Sequence, residues 1–483
     1  MMNLIKKLTL ASILVLIFQT GVMAQVDRGI EAAKRGDYTT ALNLFKGAGN
    51  IGGDYDANYW YGKTLLETGS LTEAQKYFQT ALKDDDEGWE ALLGMGNVLS
   101  LQGKYDDANN YYKRAAKEND ESVDILVAQG RNLAKAGKLA DALVPLTKAT
   151  TLKKTAEVYT GLGDVYFYGG AIPAALENYN KALGVSASYG PAQYGIGNVY
   201  FEQKKYQDAV EMYQKSVQSS PNFADAYLQL GKLLYFNEDY QAALSAINKY
   251  NQLKPGDLDG LSYGAKILVA LRQFDEANKL LDEVLVLDPN NASAFKYKGY
   301  TMSAMEQYDQ AITNFQKVPA DMMEADDYIM FAETYEKKGD FVSAYETFRK
   351  GSVADSSSAR LELEWGESYL NNKEYEDALV HFSRAEELGN NTAIIYKGLT
   401  YFNLAKYTEA VGEFDKAILV NDEYALNYLL RGNAKEALGD REGAIADYQK
   451  VLELEPGNTD AQDRLDFLNN PDNSSSTDTP EGQ

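Results

Sequence analysis

Residues 96–116 read GNVLSLQGKYDDANNYYKRAA, and residues 197–217 read GNVYFEQKKYQDAVEMYQKSV. The two stretches begin 101 residues apart and share their opening Gly-Asn-Val and several tyrosine, aspartate and alanine positions. A separation of 101 residues is three times about 34, and a fixed period of 20–50 residues is typical of repeat architectures. The spacing therefore predicts a unit of about 34 residues that recurs along the chain.

Three columns of residues define this unit. An alanine column recurs every 32 to 34 residues, at 41, 74, 108, 142, 175, 209, 243, 277, 311, 344, 378, 410 and 444. Twelve residues before each alanine lies a small residue, and these form the glycine column: Gly29, Gly62, Gly96, Gly130, Gly163, Gly197, Gly231, Ala265, Gly299, Ala332, Gly366, Gly398 and Gly432. Four residues after each alanine lies a large residue, from Phe45 to Tyr448, which forms the large-residue column. The chain thus contains thirteen copies of the unit.

The spacing within a copy predicts two amphipathic helices. Apolar residues recur at intervals of three and four, and a short polar break such as Gly103-Lys104 separates the two halves. A glycine inside a helix costs about 1 kcal/mol relative to alanine, so thirteen small residues at one position need a packing reason. Close crossing of the two helices supplies that reason, and the large residue then fills the space beside the crossing.

These columns resemble the tetratricopeptide repeat, with its small residue in the first helix, its alanine and aromatic in the second, and its terminal proline, here Pro221, Pro255, Pro289 and Pro456. The resemblance covers about residues 26–457. It implies an all-α fold, a right-handed superhelical solenoid of tandem helix-turn-helix repeats. It also implies a concave face that is lined by the first helices and binds peptides or other proteins.

Composition divides the chain into five segments. Lys6 and Lys7 followed by an apolar run predict a signal peptide over residues 1–24, cleaved before Gln25. Repeats 1–10 are expected over residues 25–355 and repeats 11–13 over residues 356–457, because the sequence GSVADSSS suggests a hinge near 355. A polar capping helix is expected at 458–470 and a disordered tail at 471–483.

Charge and cysteine content narrow the cellular setting. The formal net charge of -24 disfavours nucleic acid and anionic lipid surfaces as partners, because both would repel the chain. The chain has no cysteine, which excludes disulfides, thiolate metal sites and a lipidated cysteine. The apolar run at the start is shorter than the roughly 20 residues needed to cross a bilayer. We therefore expect a periplasmic or secreted protein that does not span the membrane after cleavage, although an uncleaved anchor remains the alternative.

The residue after each glycine-column position is expected to point into the groove. The first half of this set is rich in cations and amides, and the second half is acidic. Asn side chains can bind a peptide backbone, and Lys and Arg can hold carboxylates. Adding aromatic residues on the same face gives the candidate ligand-binding set: Lys63, Asn97, Arg131, Tyr194, Asn198, Lys232, Tyr235, Lys266 and Tyr300. The alternative is that the polar members are solvated surface positions and the aromatic members pack between first helices.

The sequence contains no pattern of residues that supports catalysis. The single histidine, His381, is expected at the surface or rim of a second helix, and without cysteine the common nucleophile and base pairs are missing. We therefore expect no enzyme activity, no cofactor and no metal site. Two functions remain: an exported scaffold or adaptor for protein partners, or a structural subunit of a cell-envelope secretion or polysaccharide export assembly that contacts glycans.

Overall fold

Helices make up all the regular structure in the described part of the chain, residues 21–49 and 51–469 of the computed structural model. Residues 1–20 of the expected signal peptide and the expected tail at 471–483 lie outside this part. Residues 21–24 are helical and belong to the first helix. The predicted all-α array of tandem helix pairs is confirmed.

The chain divides into two compact units, and the first unit ends at Gln273. Its described part holds fifteen helices: α1 (21–34), α2 (Tyr38–Ala48), α3 (Tyr55–Glu67), α4 (Leu71–Asp84), α5 (Trp89–Leu101), α6 (Tyr105–Glu118), α7 (Val123–Lys135), α8 (Leu139–Leu152), α9 (Ala156–Tyr168), α10 (Ile172–Val185), α11 (Gly190–Glu202), α12 (Tyr206–Ser219), α13 (Ala224–Phe236), α14 (Tyr240–Leu253) and α15 (Leu258–Ala270). Odd-numbered helices are the first helices of repeats, and even-numbered helices are the second.

The second unit begins at Phe274, with the second helix of repeat eight. Its described helices are α16 (Phe274–Leu287), α17 (Ala292–Ala304), α18 (Tyr308–Phe315), a 3₁₀ helix (Ala320–Met322), α19 (Ala325–Lys337), α20 (Phe341–Ala354), α21 (Ala359–Asn371), α22 (Tyr375–Glu387), α23 (Thr392–Asn403), α24 (Tyr407–Val420), α25 (Ala425–Leu438), α26 (Arg441–Leu454) and α27 (Thr459–Asn469). The hinge expected near 355 lies inside this unit and stays a prediction.

The columns form the core of each unit. All thirteen alanines of the alanine column are 0% exposed, and the residues of the large-residue column are at most 2% exposed. A β-carbon added at any of the eleven glycines of the glycine column would lie only 2.5 to 3.0 Å from the large side chain sixteen residues later. These glycines are therefore required by close helix crossing, as the spacing predicts.

The turn between the two helices of a repeat has the same backbone conformation throughout. The residue two positions before each second helix has a positive φ, between 56° and 85°, in all thirteen repeats. Seven of these residues are glycine, and the other six are Lys204, Glu238, Arg272, Glu306, Lys373 and Ala405. Side chains disfavour this left-handed region, so packing of the flanking helices imposes the turn at those six positions.

Neighbouring repeats stack through contacts between successive first helices and through the packing of each second helix on the following first helix. Within the first unit α3 contacts α5, α7 contacts α9 and α9 contacts α11, whereas the second helices contact chiefly the first helices before and after them. The same pattern holds in the second unit, where α19 contacts α21. The odd-numbered helices of each unit therefore form one continuous surface, which we call the first-helix face.

Candidate functional site

The residue after the glycine column forms a hydrogen bond wherever the large-residue column holds tyrosine. The hydroxyls of Tyr112, Tyr179, Tyr213 and Tyr448 donate to Asn97, Asp164, Asn198 and Asn433 at 2.8 to 2.9 Å. In the nine repeats whose large residue lacks a hydroxyl, this position is neither Asn nor Asp. Asparagine and aspartate there serve as acceptors for a buried phenol.

This bond orients two of the predicted site residues. Asn97 and Asn198 use their Oδ1 atoms to accept from tyrosine inside their own repeats. An asparagine amide has one oxygen and one amino group on opposite sides, so the Nδ2 group is turned away from the tyrosine. Asn97 can still donate hydrogen bonds to a ligand, whereas the side chain of Asn198 also hydrogen-bonds to Tyr194. The oxygens of both asparagines are already engaged.

Arg131 is held by the next repeat. Its Nε donates to Oδ2 of Asp164 at 2.8 Å, and the other oxygen of that carboxylate accepts from Tyr179. Burial alone would lower the pKa of Arg131, but the charge of Asp164 raises it above its ordinary value. This ion pair joins α7 to α9, so the residue has a structural role whether or not it binds a ligand.

Lys232 and Lys266 are the two predicted cations that the structure brings together. Their ammonium groups lie 4.8 and 5.0 Å from the centre of the same ring, that of Tyr263 on α15. Lys232 also forms an ion pair of 2.8 Å with Asp259, whose side chain is 61% exposed. We call these two lysines with Tyr263 the lysine–tyrosine cluster; it combines two positive charges with an aromatic ring on the first-helix face.

Lys63 is placed differently, because its Nζ lies 5.1 Å from the ring of Trp60 in α3. Tyr194 on α11 packs its ring against Phe223 at 5.2 Å, and burial raises the pKa of its hydroxyl. Tyr235 on α13 contacts the ring of Tyr263 edge-on at 6.3 Å. Eight of the nine candidates lie in the first unit, and Tyr235 is the aromatic candidate next to the lysine–tyrosine cluster.

Tyr300 lies in the second unit, on α17. Its hydroxyl donates to Asp327, and its ring lies edge-on to Phe315 at 5.6 Å. Burial, the charge of that aspartate and the hydrogen bond to it all raise the pKa of Tyr300. Its hydroxyl is therefore engaged within the fold rather than directed at a ligand.

The first helices α19 and α21 carry carboxyl groups that crowd one another. Burial and neighbouring carboxylates raise the pKa of Glu336, Glu364 and Glu367 above their ordinary values. The sequence pattern pointed to Glu367 but missed Glu336 and Glu364, which lie on the same faces of α19 and α21. Spacing of three and four residues along each helix was the signal that could have found them.

His381 lies on the second helix α22, with a partly buried side chain that is 16% exposed. Its ring stacks on Trp365 at 3.8 Å, and its Nδ1 lies 2.8 Å from Oε2 of the buried Glu362. Burial would raise the pKa of Glu362, but the hydrogen bond with His381 holds it below its ordinary value. Ser352 donates to the same carboxylate and not to the imidazole, so the three side chains do not form a nucleophile and its base.

Among residues 21–49 and 51–469, no helix is both long enough and apolar enough to cross a bilayer. The same residues contain no group of three His, Asp or Glu side chains placed to hold a metal ion.

Family comparisons agree with the repeat columns. Four tetratricopeptide-repeat models match residues 32–95, 93–157, 163–203 with 197–237, and 224–257 with 425–458. The chain belongs to the tetratricopeptide-repeat proteins and consists of many tandem helix pairs. Proteins of this family bind other proteins, so the chain is a protein-interaction scaffold in this broad sense.

Two curated relatives each match about a quarter of this chain. RNA polymerase II-associated protein 3 of Xenopus tropicalis is 35% identical over 133 residues, which cover 27% of this chain and 20% of that protein. Serine/threonine-protein phosphatase 5 of Mus musculus is 31% identical over 129 residues, 26% of each chain. The chain therefore spans about a fifth to a quarter of the length of these relatives.

Solved structures show similar helical arrays at low identity. A tetratricopeptide-repeat protein from Parabacteroides merdae ATCC 43184 is 18% identical, covers 51% of this chain and 98% of its own, and has a TM-score of 0.40. Yeast Tom70 is 18% identical, covers 93% of this chain and 95% of its own, and has a TM-score of 0.35.

Proposed function

We propose that this chain is an exported, non-enzymatic scaffold that binds an extended peptide or a protein partner along the first-helix face of its first unit. The observation that carries the proposal is the lysine–tyrosine cluster, where Lys232 and Lys266 flank the half-buried ring of Tyr263. Ammonium groups bind carboxylates, and a ring between them offers an apolar contact of the kind found in peptide-binding grooves.

Binding to this face uses groups that the fold has already oriented. The Nδ2 group of Asn97 is turned away from Tyr112 and can donate to the carbonyl groups of an extended backbone. Acidic side chains of the partner would reach the lysine–tyrosine cluster and displace Asp259 from Lys232. Such preorganised donors reduce the entropy that is lost on binding.

A capture experiment tests this site. We expect Lys232→Ala combined with Lys266→Ala to lose the proteins that the unchanged chain captures from an extract of the source cells. The matched control is Lys181→Ala with Lys215→Ala, which removes the same charge from second helices, where both lysines pair with glutamates one turn away. Equal capture by the unchanged chain, the Lys232→Ala, Lys266→Ala variant and the control variant would contradict the proposed site.

Export is part of the proposal and rests on the first 24 residues. A charged start, an apolar run and the small residues of Val22-Met23-Ala24 fit a cleaved signal peptide. Mass spectrometry of the protein recovered from its native cells should give Gln25 as the first residue. An N-terminus at Met1 or Met2 in all of the material would contradict export by cleavage.

The alternative function, a subunit of a secretion or polysaccharide export assembly, is favoured by one observation. Tyr168, Phe201 and Phe236 lie at the C-terminal ends of the first helices α9, α11 and α13, and they are 53%, 41% and 66% exposed. Exposed rings at successive repeats can stack on sugar rings. This alternative would be favoured if glycan-array binding is lost in the variant with Tyr168→Ala and Phe236→Ala. The variant with Lys232→Ala and Lys266→Ala should then keep glycan binding.

A further inference from the structure

The second helix of repeat nine is interrupted. The helix α18 ends at Phe315 after eight residues, whereas α20 and most other second helices of the described chain have 13 or 14. Pro319 follows, and proline has no amide hydrogen to continue a helix and clashes with the preceding turn. The chain instead forms the short 3₁₀ helix Ala320–Met322, and this leaves a cavity of about 260 Å³.

Aromatic rings form one wall of this cavity, which we call the repeat-nine pocket. Phe331 stacks on Phe315 at 4.9 Å and on Tyr335 at 5.0 Å, so three rings follow one another along the wall. Val318 and Met323, 7% and 9% exposed, are further apolar lining residues. One wall of the pocket is therefore apolar, whereas other lining side chains, such as Gln316 and Ser343, are polar.

The opposite wall of the pocket is formed by small side chains of α20. Thr347 lies three residues after the alanine column, and the same position holds Tyr77, Met212 and His381 in other repeats. Thr347 is 4% exposed and donates to the carbonyl oxygen of Ser343 at 2.7 Å. A large side chain at this position would fill the space that the short threonine leaves open.

The charged side chains that line the pocket neutralise each other. Lys350 and Glu346 are both exposed and pair at 3.3 Å. Met322, next to the lining residue Met323 in the chain, is 55% exposed, and Val353, three residues beyond Lys350 on α20, is 79% exposed. Exposed apolar side chains close in sequence to the lining are compatible with a surface that another protein covers.

We propose that the repeat-nine pocket receives one aromatic side chain of a protein partner. The cavity is smaller than the roughly 300 Å³ at which sites for free organic ligands begin, but its size suits a single ring. Aromatic residues in fitted pockets are the usual anchors of protein interfaces, and the three wall rings offer offset or edge-on contacts. This inference rests on the scaffold function but concerns a different surface from the lysine–tyrosine cluster.

Saturation-transfer NMR with the full chain tests whether the pocket selects a ring. We expect N-acetyl-L-tryptophanamide to receive at least fivefold more saturation than N-acetyl-L-leucinamide. Thr347→Met, which has the precedent of Met212, should reduce this transfer at least fivefold, whereas Thr408→Met on an exposed part of α24 should leave it unchanged. Equal transfer to the two amides, or full transfer with a folded Thr347→Met, would overturn the proposal.

A second pocket variant tests the same proposal if Thr347→Met does not fold. Lys350→Trp changes only an exposed position at the mouth, and its indole should block entry and lower the transfer as strongly. The variant with Lys232→Ala and Lys266→Ala should keep full saturation transfer to N-acetyl-L-tryptophanamide. Failure of groove binding and failure of the pocket are therefore distinguished by different variants.

Peptide selection then tests the nature of the occupant. A random peptide library is selected on the full chain and counter-selected on Thr347→Met. We expect the enriched peptides to share one Trp, Tyr or Phe, whose replacement by Ala weakens binding at least tenfold. Enriched peptides without a shared aromatic residue would exclude a partner side chain as the occupant, even if the free amide binds.

Discussion

Gly398 and Gly412 belong to the same repeat but have opposite surroundings. A β-carbon at Gly398 would lie 2.5 Å from the buried ring of Phe414, whereas a β-carbon at Gly412 would meet nothing within 4 Å. Both glycines are inside helices, where glycine is intrinsically unfavourable. Only Gly398 is required by close contact with another helix. Comparing the two glycines therefore separates the effect of packing from the effect of helix propensity.

The two glycines should therefore respond oppositely to alanine. We expect Gly398→Ala to lower the free energy of unfolding by about 1–2 kcal/mol, because overpacking costs about 1–3 kcal/mol and helix propensity returns at most about 1. Gly412→Ala should raise it by up to about 1 kcal/mol. Urea denaturation followed by circular dichroism measures both, and stabilisation by Gly398→Ala would contradict the close-crossing account.

The pairing of the two helices in a repeat depends on polar as well as apolar contacts. Tyr213 is 2% exposed, so its hydroxyl depends on Asn198 for a partner. In repeat twelve the same contact is apolar, because Leu399 and Phe414 occupy the equivalent positions. The chain thus contains both a hydrogen-bonded and an apolar version of one helix contact.

A double-mutant cycle can convert one version into the other. Asn198→Leu alone leaves the hydroxyl of Tyr213 without its acceptor and should cost about 1–3 kcal/mol of unfolding free energy. Adding Tyr213→Phe removes the hydroxyl, so the double variant should lie within about 1 kcal/mol of the unchanged protein. Additive losses in thermal or urea unfolding would show that the hydrogen bond does not couple the two residues.

Much of the helical architecture could be predicted from single positions. The column residues are buried as their spacing predicts, and the helix-breaking Pro319 follows the interrupted helix α18 in the sequence. The division at Gln273 was not predicted, because Arg272 occupies the same left-handed turn position as its equivalents in other repeats. Local sequence carries no sign of this boundary.

The candidate site was predicted less completely. The positions of Lys232 and Lys266 on the first-helix face follow from helical spacing, but Asp259 and Tyr263 were missed as their partners. Those contacts depend on which side chains meet across two repeats, and this requires the stacking geometry. The hydrogen bonds of the four buried tyrosines could have been predicted from the sequence, because the acceptor and the tyrosine are always fifteen residues apart.

Over the chain as a whole, buried tyrosine determines the response to alkali. Burial raises the pKa of Tyr112, Tyr213 and Tyr448 above the ordinary value near 10, and burial and nearby acidic groups raise those of Tyr61 and Tyr396 to about 12. In each case the folded state holds its proton more tightly than the unfolded state does. This contribution is therefore fully present below pH 10 and is lost as the pH rises above it.

We accordingly expect unfolding between about pH 10 and 12. Each such tyrosine lowers the free energy of unfolding by about 1.4 kcal/mol per pH unit in that range. Circular dichroism at 222 nm should fall together with the rise of phenolate absorbance at 295 nm. The variant with Tyr213→Phe and Asn198→Leu has one buried phenol fewer and should decline less steeply; full ionisation with helices intact would contradict this account.

The tyrosine–asparagine bonds also bear on how such a chain can change its length. Each bond joins two residues of the same repeat, such as Asn97 and Tyr112, so duplicating or deleting that repeat carries both partners together. The ion pair of Arg131 with Asp164 joins two repeats, and a duplication that ends between them would separate its members. Recombination can therefore copy the interior of a repeat freely, whereas interactions between repeats restrict where new copies can be inserted.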